Sequence, residues 1–248
     1  MSGQPFRYSI YLKLLQRRKA LAEIGQKFLD SLDALSAINP LFTPWKVVDF
    51  AAVAKVPLAV ARSRIAAVVE EGVVRDDYDQ PEPESGYMAI GVTDNFKASR
   101  VAKLTVDAGA VFLPNRVMLE VGDPLAPTDP GIVNYPLFRN ALIAITAVWQ
   151  PAYSYAYAFR LDYDKAPIVP GAPLIRYNPF HLPWIGYLSP EIAAGLVVPP
   201  ADVRAEAAPG GGLLLSATAE RFDPTNLDHL RRAHILTETM IACTGDGD

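Results

Sequence analysis

The spacing of hydrophobic and polar positions changes several times along the chain, and each change predicts an element. Over Ala20 to Ile38, Leu21, Ile24, Phe28, Leu32, Leu35 and Ile38 recur at three- and four-residue intervals, which puts them on one face of an amphipathic helix. Asn39-Pro40 ends that helix, because the residue before proline is driven out of the helical region. Before it, the aromatic and β-branched run Phe6 to Leu14 predicts a strand. After it, Trp45 to Phe50 predicts a second, short strand. Pro57 opens a further helix that buries Leu58, Ala61, Ile65 and Val68, and Gly72 is placed to cap it.

Three more strands are expected near Tyr87–Thr93, Arg100–Asp107 and Arg116–Val121. In the second, Ala102, Leu104 and Val106 alternate with Lys103, Thr105 and Asp107, the period of a sheet with one wet face. Proline and glycine between Asp123 and Gly131 mark a connector. Asn134 then caps a helix carrying Leu137, Phe138, Leu142, Ile145, Val148 and Trp149, apolar nearly all round and therefore central. Tyr153 to Tyr163 gives the strongest strand signal, with odd-numbered aromatics alternating against Ala156, Ala158, Arg160 and Asp162. Lys165 to Pro183 reads as loop and Trp184–Leu188 as a strand. Val203–Ala207 and Gly212–Thr218 flank a glycine turn as a hairpin. A last helix starts near Asp223-Pro224 and runs to about Cys243. The whole predicts an α+β fold, a mostly antiparallel sheet packed by about four helices in one domain over residues 1–248, with two sheets or one split sheet both open.

A chain of 248 residues buries enough surface to fold without disulfide or metal support. Its 23 Lys and Arg against 27 Asp and Glu give no bulk attraction to nucleic acid or an anionic membrane. The single cysteine, Cys243, excludes an intrachain disulfide and fits a reducing compartment. The first residues lack a basic and apolar leader pattern, and the most apolar stretch, Pro136 to Trp149, is too short to cross a bilayer, so a cytoplasmic protein is expected.

Common catalytic constellations are missing from the sequence pattern. The histidines are His181, His229 and His234. On a helix, positions five apart such as His229 and His234 diverge by ~140°, unlike a zinc pair four apart. Ser189 and Ser216 lack the Gly-x-Ser-x-Gly elbow of a serine nucleophile. Pro209-Gly-Gly-Gly212 is followed by a strand-like run rather than a helix, so it reads as a turn and not a phosphate cradle. Asp162-Tyr-Asp-Lys165 reads as a strand end. No metal and no cofactor are expected.

The acidic stretch after the second helix stands apart. Asp76, Asp77, Asp79, Glu82 and Glu84 place five carboxylates within nine residues, a density that creates a negative potential. A solvated loop is the ordinary explanation. The functional one is docking against a basic surface such as a nuclease cleft. Aromatics at Tyr153–Tyr163 and Trp184–Tyr187 are core, or else a binding face.

Taken together, Pro183-Trp184-Ile-Gly-Tyr187-Leu-Ser189, Ala193-Ala194, Gly211 to Glu220, Phe222-Asp223, Asn226 and His229 resemble the immunity protein 52 family of bacterial polymorphic-toxin systems. Phe28–Leu35, Trp45, Tyr135-Pro-Leu-Phe138 and Tyr157–Asp162 extend the resemblance over most of the chain. It implies a protein without enzymatic activity that binds a cognate toxin, commonly a nuclease of restriction-endonuclease fold, in a type VI secretion setting. It supplies no contact map. Two other readings stay open: a hydrolase assembled from distant loops, using His181 and Asp162, and a scaffold subunit.

Overall fold

The computed structural model describes residues 6–93, 101–122, 129–160, 182–196 and 199–244. Among these residues ten strands form one sheet: β1 (Phe6–Leu14), β2 (Trp45–Asp49), β3 (Ala54–Pro57), β4 (Tyr87–Thr93), β5 (Ala102–Ala108), β6 (Asn115–Val121), β7 (Tyr153–Arg160), β8 (Pro183–Leu188), β9 (Arg204–Ala207) and β10 (Leu213–Ser216). Their order is β3-β2-β4-β5-β6-β1-β7-β8-β10-β9, and each neighbouring pair runs antiparallel. Among the described residues the strands thus make one sheet rather than two. The helices are α1 (Leu21–Ile38), α2 (Leu58–Arg62), α3 (Ile65–Glu71), α4 (Tyr135–Trp149), α5 (Pro190–Ala193) and α6 (Leu227–Thr244). Four of these have seven residues or more, so the α+β expectation holds.

Cross-strand register assigns the two faces. Gly91, Leu104, Leu119, Ile10, Ala156, Ile185 and Ser216 form one row of partners across the sheet. At one end of that row Gly91 lies beneath Leu32, Phe28 and Trp45; at the other, the Ser216 hydroxyl meets the Tyr135 hydroxyl at 2.9 Å. Helices α1 and α4 therefore cover this face. The opposite face carries α6 over β8 and β10, with Met240 and Leu236 seated over Gly186.

Why these residues form these elements follows from what each must bury. The α1 stripe meets the sheet: Ile24, Phe28, Leu32 and Leu35 are fully buried. At the head of α4, Asn134 Oδ1 accepts the Leu137 N–H at 2.9 Å, satisfying a donor that the first helical turn leaves open. In β5 the apolar positions are buried and Lys103 and Asp107 are half-buried, as their alternation predicts, but Thr105, on the same side as those two, is buried.

Several expectations change. The helix expected from Pro57 is two short ones, α2 and α3, broken at Arg64, where the backbone (φ −131°, ψ 25°) leaves the helical region. An unforeseen edge strand, β3, precedes it. The last helix starts at Leu227, past Asp223-Pro224. Asn226 is its cap, its Oδ1 accepting the Asp228 N–H at 2.9 Å, while Asp223 Oδ1 serves a local turn at Thr225. In β7 the side facing α4 is alanine, not aromatic: Ala156 and Ala158 lie against the helices, and Tyr153, Tyr155 and Tyr157 project to the other face. Small residues let α4 approach the sheet closely, and the tyrosine rings pack in tilted contacts along the opposite surface beside Tyr11. The residues beyond Arg160 in that predicted strand, the loop to His181 and most of the Asp123–Gly131 connector lie outside the described residues.

Gly72 does end α3, but in an ordinary conformation (φ −84°), so a left-handed cap is not the reason for glycine there. A Cβ would lie 2.0 Å from the Met88 carbonyl oxygen of β4. Gly72→Ala must push backbone from backbone, and a loss of about 2 kcal/mol is expected, the scale of an overpacked core site. Urea unfolding read by circular dichroism checks it; an unchanged midpoint would mean the strand yields freely.

Candidate functional site

Antiparallel pairing gathers one set of loops at a single end of the sheet. Asp49 pairs with Ala54, Tyr87 with Ala108, Leu14 with Asn115, Tyr153 with Leu188 and Leu213 with Ala207, so the segments beyond these residues emerge together. They include the β2–β3 turn, the acidic loop, the turn Gly109–Pro114, the segment after β1, the α4–β7 junction and the β9–β10 turn. Among the described residues seven large apolar side chains are exposed, and five of them, Leu15, Val53, Tyr78, Phe112 and Leu113, sit in these loops. They are between 44% and 91% exposed, where an isolated folded chain gains nothing from displaying them.

The acidic loop is a shaped element. Arg75 bridges to Pro81, Asp76 N–H donates to the Gln80 carbonyl at 2.9 Å, and Glu82 N–H donates to the Val74 carbonyl at 2.7 Å, making a tight hairpin. Asp76 Oδ1 accepts the backbone N–H groups of Tyr78 and Gln80 at 2.9 and 2.8 Å. Asp79 sits in the left-handed region (φ 62°), with Arg75 donating to its carbonyl at 2.8 Å. The loop is tied to the neighbouring turn by Val111 N–H, which donates to the Glu84 carbonyl at 2.9 Å. Arg18, from the segment after β1, pairs with the Glu84 carboxylate. Asn115 Nδ2 holds the Leu15 carbonyl at 2.9 Å, so Leu15 and the Phe112-Leu113 turn share one anchor.

The five predicted carboxylates thus divide. Asp76 is committed to loop geometry, Glu84 to Arg18, and Glu82 accepts the Ser85 hydroxyl at 2.8 Å. Asp79 also faces Arg75 Nε at 3.7 Å, and Asp77, Asp79, Glu82 and Glu84 are all exposed. What the acidic pattern did not reveal is its apolar partner: Phe112, Leu113, Leu15 and Val53. The run Val111-Phe-Leu-Pro114, between a glycine and the next strand, was the available signal, an apolar triplet in a turn position.

Other candidates resolve structurally. His229 is buried on α6, its Nδ1 accepting the Asp223 N–H at 3.0 Å and its ring stacked on Phe222. His234 lies farther along α6, half-buried, and the two rings form no shared site. Burial pushes the Cys243 thiol up from its ordinary range, away from thiolate character. Gly210 and Gly211 (φ 80° and 88°) make the β9–β10 turn. Ser216 is spent on Tyr135. His181 and Asp162, the pair of the hydrolase reading, lie outside the described residues. Among the described residues no group of three or more His, Cys, Asp or Glu is placed to hold a metal ion, and no helix is long and apolar enough to cross a membrane.

With that geometry in hand, the fold has a solved counterpart. The Pseudomonas aeruginosa T6SS protein PA0821 superimposes with a TM-score of 0.50 at 13% sequence identity, covering 95% of this chain and 72% of that one. At that identity the likeness is one of architecture alone. No protein-family model matches the chain, so the resemblance to the immunity protein 52 family gains no support there. Comparison with curated proteins likewise gives no match.

Proposed function

We propose that this chain is a cytoplasmic immunity protein that binds and occludes a cognate effector toxin of nuclease type, without catalysis of its own. The observation that carries the reading is the loop end of the sheet. Exposed apolar anchors, Phe112, Leu113 and Leu15, stand beside a rigid acidic hairpin, the pairing of apolar centre and charged rim that protein interfaces use. A nuclease cleft lined with cations for phosphate is the complementary surface, and carboxylates at Asp77, Asp79 and Glu82 meet it by long-range attraction. The fold shared with a T6SS protein fits a type VI secretion context, as does the sequence resemblance.

Co-expression tests it. A toxin encoded beside this gene is expected to kill cells alone and to be neutralised when this protein is present; equal killing in both arms overturns the assignment. Reversing Asp77, Asp79 and Glu82 to lysine leaves the loop's Asp76 cap intact and is expected to weaken toxin binding about tenfold or more, chiefly through slower association at low salt. Phe112→Asp is expected to cost a similar factor through faster dissociation. Rescue that survives both changes would locate the contact elsewhere while leaving neutralisation standing.

A further inference from the structure

A cleft of about 550 Å³ opens at the same end of the sheet, on the face covered by α1 and α4, between the C-terminal end of α4, the start of α5 and the β9–β10 turn. Its size lies within the ordinary range for ligand sites. Ile143, Ala147 and Pro209 give it apolar walls, and Gln150, Ser189 and Glu191 bring polar groups to it. Glu191 is the one charged residue in the lining. The nearest cation on the same helix, Arg139, is already paired with Glu206. Gln150 is held in the left-handed region (φ 50°), its N–H donating to the Thr146 carbonyl at 2.8 Å, a conformation that favours glycine and here carries an amide side chain at the rim.

We infer that this cleft receives the side chain of an arginine presented on a peptide segment, the guanidinium meeting the Glu191 carboxylate and the Gln150 amide oxygen while the aliphatic stem lies on Ile143, Ala147 and Pro209. Each part has a physical cause. The last turn of α4 has no basic residue of its own, and Lys27 of α1 already donates to its Val148 carbonyl at 3.0 Å, so the attraction for an incoming cation comes from Glu191 rather than from the helix end. Glu191 stays ionised, because its own backbone N–H and the Ser189 hydroxyl hold its carboxyl below the usual range. A planar fork matches a carboxylate in two bonds, and flat proline and aliphatic walls suit a weakly hydrated guanidinium better than a compact ammonium. Occupancy of this cleft rests on the partner-binding reading only for where the peptide comes from; recognition of the group itself does not.

Titration of the full chain with N-acetyl-arginine N-methylamide, followed by methyl NMR of Ile143 and Ala147, tests it. Saturable shifts at those methyls are expected, with the citrulline analogue at least tenfold weaker and Glu191→Gln weakening the arginine probe by a similar factor. Glu191 is exposed, so that variant folds; Ala147→Phe, which fills the cleft from an exposed helix position, is expected to abolish the shifts. Absence of shifts at the two methyls, or equal binding of the citrulline analogue, overturns the proposal. Tighter binding of agmatine than of the peptide-like probe overturns the peptide source. Because no toxin enters the experiment, its failure and the failure of the immunity reading are separate results.

Discussion

Trp184→Ala is expected to destabilise the fold by about 4 kcal/mol, the scale of a fully buried tryptophan truncated in a core. The register between β7 and β8 shifts here: Ala156 faces Ile185 but Tyr157 faces Pro183, leaving Trp184 as the extra residue of a bulge. The bulge turns the indole onto the face covered by α1 and α4, where it has no exposed surface. Its ring packs on Phe138 at 5.4 Å, Tyr8 at 6.1 Å and Tyr135 at 6.2 Å, joining α4, β1 and β8. Its Nε1 donates to the Thr218 carbonyl at 3.1 Å. Alanine removes both the packing and that bond. Trp184→Phe keeps most of the volume and loses the donor, so a smaller cost of about 1–2 kcal/mol is expected. Urea midpoints at constant slope distinguish the two. Equal stability of the alanine variant and the parent would mean the helix layer collapses onto the vacancy.

A second large effect is expected at alkaline pH. Burial pushes the Tyr8 and Tyr157 hydroxyls from 10.0 up to about 12, and burial also raises Tyr155, with neighbouring tyrosines adding to it. A raised value in the folded state means the folded chain holds the proton more tightly than the unfolded one. The stabilisation is therefore complete below pH ~10 and is lost as pH climbs through the folded-state value. A tenfold difference in proton affinity between the two states is worth about 1.4 kcal/mol, so Tyr8 and Tyr157 are each expected to withdraw stability on the order of 2–3 kcal/mol between pH ~10 and ~12. Thermal melts across that window, with tyrosinate absorbance followed in parallel, check it. Ionisation of all tyrosines at the ordinary value with no loss of melting temperature would contradict the burial of these rings. Tyr8→Phe, which removes the hydroxyl bonded to the Phe222 carbonyl at 2.7 Å, is expected to lessen the alkaline loss while lowering stability at neutral pH.

How much of this was legible beforehand depended on whether a local pattern decided the outcome. The α1 stripe, the Asn134 cap and the β5 alternation were readable because each is enforced within one element. Which side of β7 meets the helices was not, since both its alanines and its tyrosines suit a buried face and only the register with β1 chooses. The break between α2 and α3 was hidden because Leu58, Ala61, Ile65 and Val68 keep helical spacing across it. Of the candidate site, the carboxylates were visible as composition. Their companions Leu15, Val53 and Phe112 are far apart in sequence and reach the same end of the sheet only through strand order, which no single segment encodes.

The two rims of the sheet bear on how any partner can attach. Both outermost strands, β3 and β9, are four residues long and mostly exposed, one ending in Pro57 and the other carrying Arg204 and Glu206. A proline offers no N–H, and short charged borders disfavour the laying of a foreign strand alongside. Growth of the β-structure by an incoming chain is thus discouraged on either flank, which guards against self-assembly into ribbons. On the proposed partner-binding reading, recognition falls to the strand tips, where side chains rather than backbone would do the discriminating.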